Sequence, residues 1–186
     1  MQAGNRLFLN MRKLEVEEMN RLSIEEFKES EKFPFVIVLD NIRSLNNVGS
    51  FFRTADAFRA GKIYLCGYTP QPPHREITRS ALGAELAVSW EKVEDIADLI
   101  IRLKSDGYQI WCVEQAEGSV LLQHFKPERG KPCAFVFGNE VEGVADQVIA
   151  ASNGCVEIPQ FGTKHSFNVS VSAGIVLWEF VRENIT

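Results

Sequence analysis

From residue 35 onward, short apolar runs alternate with amphipathic stretches of helical length, and that alternation leaves few folds open. Strand-length runs are expected at 35–39, 62–66, 86–90, 108–113, 133–137 and 155–158. Helical spacing is expected over 48–59, 75–83, 93–105, 142–152 and 168–183. Apolar residues at i, i+4 and i+7, as in Phe51, Ala55 and Phe58, lie on one helical face. Strands separated by helices cannot pair as hairpins and need crossovers, so the expected class is α/β: a mostly parallel sheet with helices on both faces.

Such a sheet places its chemistry in the loops beyond the strands' carboxyl ends. The run Phe35–Leu39 leads into Asn46-Asn47-Val48-Gly49-Ser50-Phe51-Phe52-Arg53. Asn46 or Asn47 can cap the helix that starts there, and Gly49 admits close approach by another backbone or a ligand. Arg53 lies off the Phe51/Ala55/Phe58 face. Two more polar loops follow strand-like runs: Gly138-Asn139-Glu140-Val141-Glu142-Gly143, and the longer Pro159 to Asn168, which contains Gln160, Lys164, His165, Ser166 and Phe167. A Pro-rich loop, Gly67 to His74, is either mobile or folded over a site. Val169 to Val181 is apolar on nearly every side, as in a central helix or one partly buried in a subunit interface.

The 186 residues suit one body, 31–186, preceded by a helical arm, 1–30, packed on it; Ser23 and Glu26 resemble a capping box. No apolar run approaches a membrane span, and the start lacks the apolar core of a signal peptide. Four separated cysteines without a CxxC pair fit buried, reduced thiols in the cytoplasm, and three scattered histidines offer no metal-ligand spacing, so no metal is expected. Net charge is −5, but Asp40–Ser80 holds six basic residues against three acidic ones. That segment reads as either a phosphate-contacting face or solvated surface charge. GxxxxGK[ST], GxGxxG after the first strand, HExxH and GxSxG are all missing. What remains on the three loops is one Arg, one Glu, one Ser and two Asn among exposed backbone groups. That set suits a purine ligand held through main chain, with Arg free for a phosphate.

The stretches NNVGSFFRTADAF, FVFGNEVEG and IPQFGTKHSFNVSVSAGIVLWE, in this order, resemble the three motifs of the SpoU (TrmH) family. These are SPOUT-type methyltransferases with a C-terminal trefoil knot. They transfer a methyl group from S-adenosyl-L-methionine to a ribose 2′-hydroxyl of RNA, and the resemblance covers about 35–183. It implies catalytic roles for Asn47 and Arg53 in the first motif, Glu140 in the second, and Ser166 and Asn168 in the third. It also implies a donor site lined by Val113, Glu114, Gln115, Phe137, Gly138, Asn139, Ile158, Pro159, Gln160, Phe167, Asn168, Val169 and Ser170. A homodimer with the active site near its interface is implied as well. Phe167 replaces the family's usual Leu, and Ser44-Leu45 its usual Asp-Pro. Val113-Glu114-Gln115-Ala116 followed by GNExxG looks like the branch that methylates a D-loop guanosine of tRNA. Ribosomal RNA as substrate, or a non-catalytic RNA-binding or assembly protein, are the alternatives.

Each residue carries a second reading. Arg53 is either the group that activates the ribose hydroxyl or a surface partner of Asp56. An Arg with a pKa above ~12 is a poor base, so positioning and charge stabilisation are the physically safer roles. Glu140 either organises the site or serves as a helix N-terminal carboxylate. Ser166 and Asn168 can build the site and cap the last helix together. Arg43, Arg53, Arg75, Arg79 and Lys164 are candidate RNA contacts, against the reading that they are simply solvated.

Overall fold

In the computed structural model, which describes residues 12–185, β1 (Phe35–Asp40) is buried along its whole length. A strand buried on both faces must sit inside a sheet covered on both sides. The remaining elements in chain order frame it: α1 (Ile24–Glu29) before it, then α2 (Leu45–Ala57), β2 (Ile63–Cys66), α3 (Arg75–Ala81), α4 (Ala84–Ala87), β3 (Trp90–Val93) and α5 (Ile96–Ser105). They continue with β4 (Gln109–Val113), β5 (Val120–Leu121), β6 (Cys133–Phe137), α6 (Asp146–Ala151), β7 (Gly154–Glu157) and α7 (Val169–Arg182). All seven strands pair in parallel in the order β3-β2-β1-β6-β4-β7-β5.

Alternate residues of each strand divide between two cores. Phe35, Ile37, Leu39, Cys133, Phe135 and Phe137 face α2, α3, α4 and α7, with Phe27 of α1 at the margin. Val36, Val38, Ala134, Val136, Ile110 and Cys112 face α5 and α6. Phe35, Phe135 and Phe180 meet edge to face with ring centroids 5.3–6.2 Å apart, which locks α7 across the first face. Phe51 and Phe52 of α2 are fully buried on that face, each stabilising the fold by roughly 1.5–3 kcal/mol. Gly49 is needed on the same helix because a Cβ there would lie 2.0 Å from Ser80 Oγ and 2.5 Å from the Ile77 carbonyl oxygen of α3. The close approach expected at Gly49 is therefore to a neighbouring helix.

Several boundaries differ from expectation. Residues 86–90 are not a strand: Ala84–Ala87 makes a short helix, which its Ala-Glu-Leu-Ala composition favours, and the edge strand starts at Trp90 beside Ile63. The helix expected over 142–152 begins only at Asp146, because Asn139 and Gly143 exchange backbone hydrogen bonds and close residues 139–143 into a tight loop. Ser44 caps α2, its hydroxyl accepting from the Asn47 N–H, so neither Asn46 nor Asn47 is the cap. Strand β5, two residues long, carries too little pattern to be expected.

In the arm, Ser23 and Glu26 form the reciprocal capping box of α1, which packs on α4; residues 1–11 of the expected helical arm lie outside the described residues. The 67–74 loop is pinned. The Lys92 ammonium donates to the carbonyls of Gly67 and Thr69, and buried Thr69 bridges the Leu39 carbonyl and the Ile42 N–H. On α7, Ala173, Val176, Leu177, Phe180 and Val181 are buried, while Val171 and Trp178 each remain 49% exposed. Among the described residues no helix is long and apolar enough to cross a membrane.

Candidate active site

The loops beyond β4, β6 and β7 meet at one edge of the sheet and line a cavity of about 640 Å³, with the loop beyond β1 bonded to its rim through Glu140. The loop after β6 is the tightest. A Cβ on Gly138 would lie 2.1 Å from the carbonyl carbon of Gly143, so only glycine allows the chain to fold back on itself there. That turn projects Glu140 toward the start of α2. Its carboxylate accepts from the Arg43 N–H at 2.9 Å, the Ser44 N–H at 3.0 Å and the Asn47 side-chain amide at 2.9 Å. Partial burial by itself would raise the Glu140 pKa; the bonds from Arg43, Asn47 and Ser44 outweigh it and hold the group below the ordinary carboxylate value. Glu140 is thus a helix N-terminal carboxylate, but for α2, supplied from another motif.

The contact continues into the third motif. Asn47 Oδ1 accepts from Asn168 Nδ2 at 3.1 Å, and Asn168 Oδ1 accepts from the Ser170 and Val171 N–H groups and the Ser170 hydroxyl. Asn168 therefore caps α7 with one end of its amide and touches the first motif with the other. Glu140, Asn47 and Asn168 form one relay across residues up to 121 positions apart in sequence. Glu114 fastens the loop after β4: it accepts from the Val144 N–H at 3.0 Å and the Gln115 N–H at 2.9 Å, while Gln115 donates to the His165 carbonyl at 2.6 Å.

Of the residues the resemblance assigns to the donor, Val113, Glu114, Gln115, Phe137, Gly138, Asn139, Ile158, Gln160, Phe167, Asn168 and Val169 line the cavity, as do Glu140 and Ser166. Pro159 and Ser170 do not, because Ser170 is committed to the α7 cap and Pro159 lies between two lining neighbours. Asn47 is absent from the lining as well, held between Glu140 and Asn168, and so is Arg53. It stands six residues past Asn47, about 9 Å further along α2 and on another side of it. It lines a separate cavity of about 300 Å³ with Leu22, Phe27, Leu82 and Ala84, and no ion pair joins it to Asp56 among the described residues. Arg43, Arg75, Arg79 and Lys164 all lie at exposed positions.

Sequence reasoning missed the cavity's charge. Glu114, Glu140, Glu142, Asp146 and Glu157 line it, and among the described residues no Lys, Arg or His does. The signal was present in the carboxylates around Gly138–Gly143, but nothing local revealed which of them turn inward. Such a lining disfavours phosphate and suits a ligand carrying positive charge. The sulfonium and ammonium groups of S-adenosyl-L-methionine carry such charge, while Phe137, Ile158 and Phe167 supply apolar surface for an adenine ring. The residues present fit that donor.

Comparison with known proteins gives this geometry a family. The sequence profile of the SpoU rRNA Methylase family matches residues 34–178. A tRNA (guanosine(18)-2′-O)-methyltransferase of Aquifex aeolicus is 29% identical over 161 residues, covering 86% of this chain and 74% of the relative. A 23S rRNA (guanosine-2′-O-)-methyltransferase, RlmB, of Vibrio parahaemolyticus is 28% identical over 168 residues, covering 90% of this chain and 67% of the relative. The crystal structure of an AdoMet-bound rRNA methyltransferase from Sinorhizobium meliloti superposes with a TM-score of 0.78 at 28% identity, over 86% of this chain and 61% of that one. The chain therefore spans about three fifths of that structure, and two thirds to three quarters of the two curated relatives. The parallel α/β fold and the profile match, which takes in all of the first two motifs and most of the third, establish that the chain belongs to the SpoU rRNA Methylase family of S-adenosylmethionine-dependent RNA 2′-O-methyltransferases.

Proposed function

We propose that this chain methylates a ribose 2′-hydroxyl in RNA, with S-adenosyl-L-methionine as donor and tRNA, at a D-loop guanosine, as the first substrate to test. The observation that carries the reading is the Glu140–Asn47–Asn168 relay, which ties all three motifs to one acidic cavity. The donor supplies a methyl group already activated on a sulfonium, so the protein has only to align the hydroxyl and manage one proton. Asn168 holds the donor loop against the α7 N-terminus, Asn47 couples it to α2, and Glu140 fixes α2's first turn. The site residues given above, with Ser166 and Arg53, are proposed to do this work. Arg53 positions the ribose and stabilises the developing charge.

Because Arg53 lies outside its own chain's cavity, a homodimer with the active site near the interface offers it a route to the neighbouring one. Exposed Val171 and Trp178 on α7 are the apolar surface such an interface would cover. Light scattering at micromolar concentration is expected to give a dimer; a monomer would remove that route. Exposed Arg43, Arg75, Arg79 and Lys164 are proposed phosphate contacts, and the C-terminal knot and cytoplasmic location belong to the same reading. The Vibrio relative favours a second substrate, 23S rRNA. Single-turnover methylation of tRNA and ribosomal RNA from a deletion strain, followed by mapping of ribose methylation, separates the two. Neither RNA accepting a methyl group would overturn both.

A further inference from the structure

Tyr68 lies two residues past the end of β2, at the carboxyl edge of the sheet, and 57% of it is exposed. An exposed loop aromatic is ordinarily free to turn, but this one is clamped at both ends. Its backbone N–H donates to Asn41 Oδ1 at 3.1 Å, and its phenolic oxygen accepts from Asn139 Nδ2 at 2.6 Å. Both anchors are themselves held. Asn41, in the left-handed region at φ 56°, donates to the buried Asp40 carboxylate at 2.9 Å. Asn139 is buried; it donates to the Asn41 carbonyl and accepts from the Val141 and Glu142 N–H groups. Next in sequence, Thr69 is buried between the Leu39 carbonyl and the Ile42 N–H. The bond from Asn139 to the phenolic oxygen and the bond from the backbone N–H to Asn41 hold the exposed ring in one orientation.

This rigid ring stands beside the reacting loops. Asn139 lines the donor cavity and immediately precedes Glu140 of the relay. Exposed Arg43 follows Asn41 by two residues, and exposed Arg75 and Arg79 lie on the helix that the 67–74 loop leads into. A fixed aromatic ring, with exposed arginines two residues past its Asn41 anchor and on the helix its loop leads into, is the chemistry that holds an unpaired nucleobase: stacking needs only a π-face, the cations meet the phosphates, and no ordering of the ring is required on binding. We propose that Tyr68 is the stacking platform for a nucleobase next to the ribose that is methylated. The proposal rests on the RNA reading above. Tyr68 is a positioning residue: its phenolic oxygen is tied to Asn139, and its role is carried by the ring. Stacking tolerates any base, so Tyr68 sets the register of the strand and leaves base identity to other contacts.

The test uses a short single-stranded oligoribonucleotide carrying 2-aminopurine at its central positions, beside the same strand made abasic there. The wild-type protein is expected to bind the base-bearing strand about tenfold more tightly and to quench its fluorescence. Tyr68→Ala should erase that preference and raise KM for substrate RNA about tenfold, with S-adenosylhomocysteine affinity within twofold of wild type. Tyr68→Phe and Tyr68→Trp, which keep a ring, should retain the preference. The proposal is overturned if wild type shows no base preference, or if Tyr68→Ala retains it. It is equally overturned if Tyr68→Phe loses as much as Tyr68→Ala, which makes the hydroxyl a strut, or if donor affinity falls in step with RNA affinity. A wild-type protein that stacks the probe yet methylates no RNA would sink the proposed reaction, leaving Tyr68 a base-stacking residue but overturning its place beside a methylated ribose.

Discussion

Replacing Glu140 by Gln keeps the side chain's size and removes its charge. The carboxylate takes three hydrogen bonds at 2.9–3.0 Å, two from backbone N–H groups entering α2 and one from Asn47. Gln offers one acceptor oxygen, and its amide nitrogen would face a donor. At least one charge-assisted bond is therefore lost, worth roughly 1.5–3 kcal/mol, together with about 0.3–1 kcal/mol from the helix terminus. Glu140 is exposed on its outer side and water recovers part of this, leaving about 1–2 kcal/mol. For a chain of this size that lowers Tm by about 2–8 °C. The sign with pH follows from the depressed carboxyl. Its stabilisation is present above the unfolded value of about 4.3 and is lost as pH falls through the lower folded value, so wild type and variant should converge in acid. Urea unfolding of both proteins across pH, with S-adenosylhomocysteine titration at neutral pH, measures this. Equal stability at neutral pH, or a gap that persists in acid, would refute the role given to Glu140.

Four further outcomes follow from other residues. Arg53→Ala should slow methyl transfer by about 10²-fold, roughly 3 kcal/mol of transition-state stabilisation, with donor affinity unchanged, because Arg53 is exposed and outside the cavity lining; single-turnover kinetics checks it. Asn168→Ala should cost about 1 kcal/mol of stability through the α7 cap and also weaken donor binding, which calorimetry beside urea unfolding resolves. Neutralising Arg75 or Arg79 should flatten the salt dependence of RNA binding by about one counterion per contact while leaving donor affinity intact; an unchanged slope in both moves the RNA face elsewhere. All four cysteines are buried, and burial pushes the Cys66, Cys112 and Cys133 thiols up to about 12, so a thiol reagent at pH 8 should react only on unfolding.

The sheet covered on both faces was legible because strands buried on both sides write themselves into continuous apolar runs such as Phe35–Leu39 and Cys133–Phe137. The misses have local causes. Val88 and Trp90 are β-type residues, but Gly83 in the left-handed region starts a helix just before them and delays the strand to Trp90. Ser44 beat two asparagines to the cap because its hydroxyl, three residues before Asn47, is the one placed at that N–H. The motifs located the candidate site, yet its wiring was out of reach. The Glu140–Asn47, Asn47–Asn168 and Tyr68–Asn139 bonds join residues 93, 121 and 71 positions apart, and no local pattern encodes such pairs. The place of Arg53 was hidden for a related reason: helical phase puts it off the apolar face but not toward any particular cavity.

The most direct measurement of the central claim is single-turnover reaction of the wild-type protein with methyl-labelled S-adenosyl-L-methionine and unmodified tRNA, followed by nuclease digestion and mass spectrometry of the nucleosides. One 2′-O-methylated ribose is expected, at a D-loop guanosine, with labelling about 10²-fold slower when Arg53 is replaced by Ala. Label found on a base, or no transfer to tRNA or ribosomal RNA by a protein that still binds S-adenosylhomocysteine, would contradict the claim.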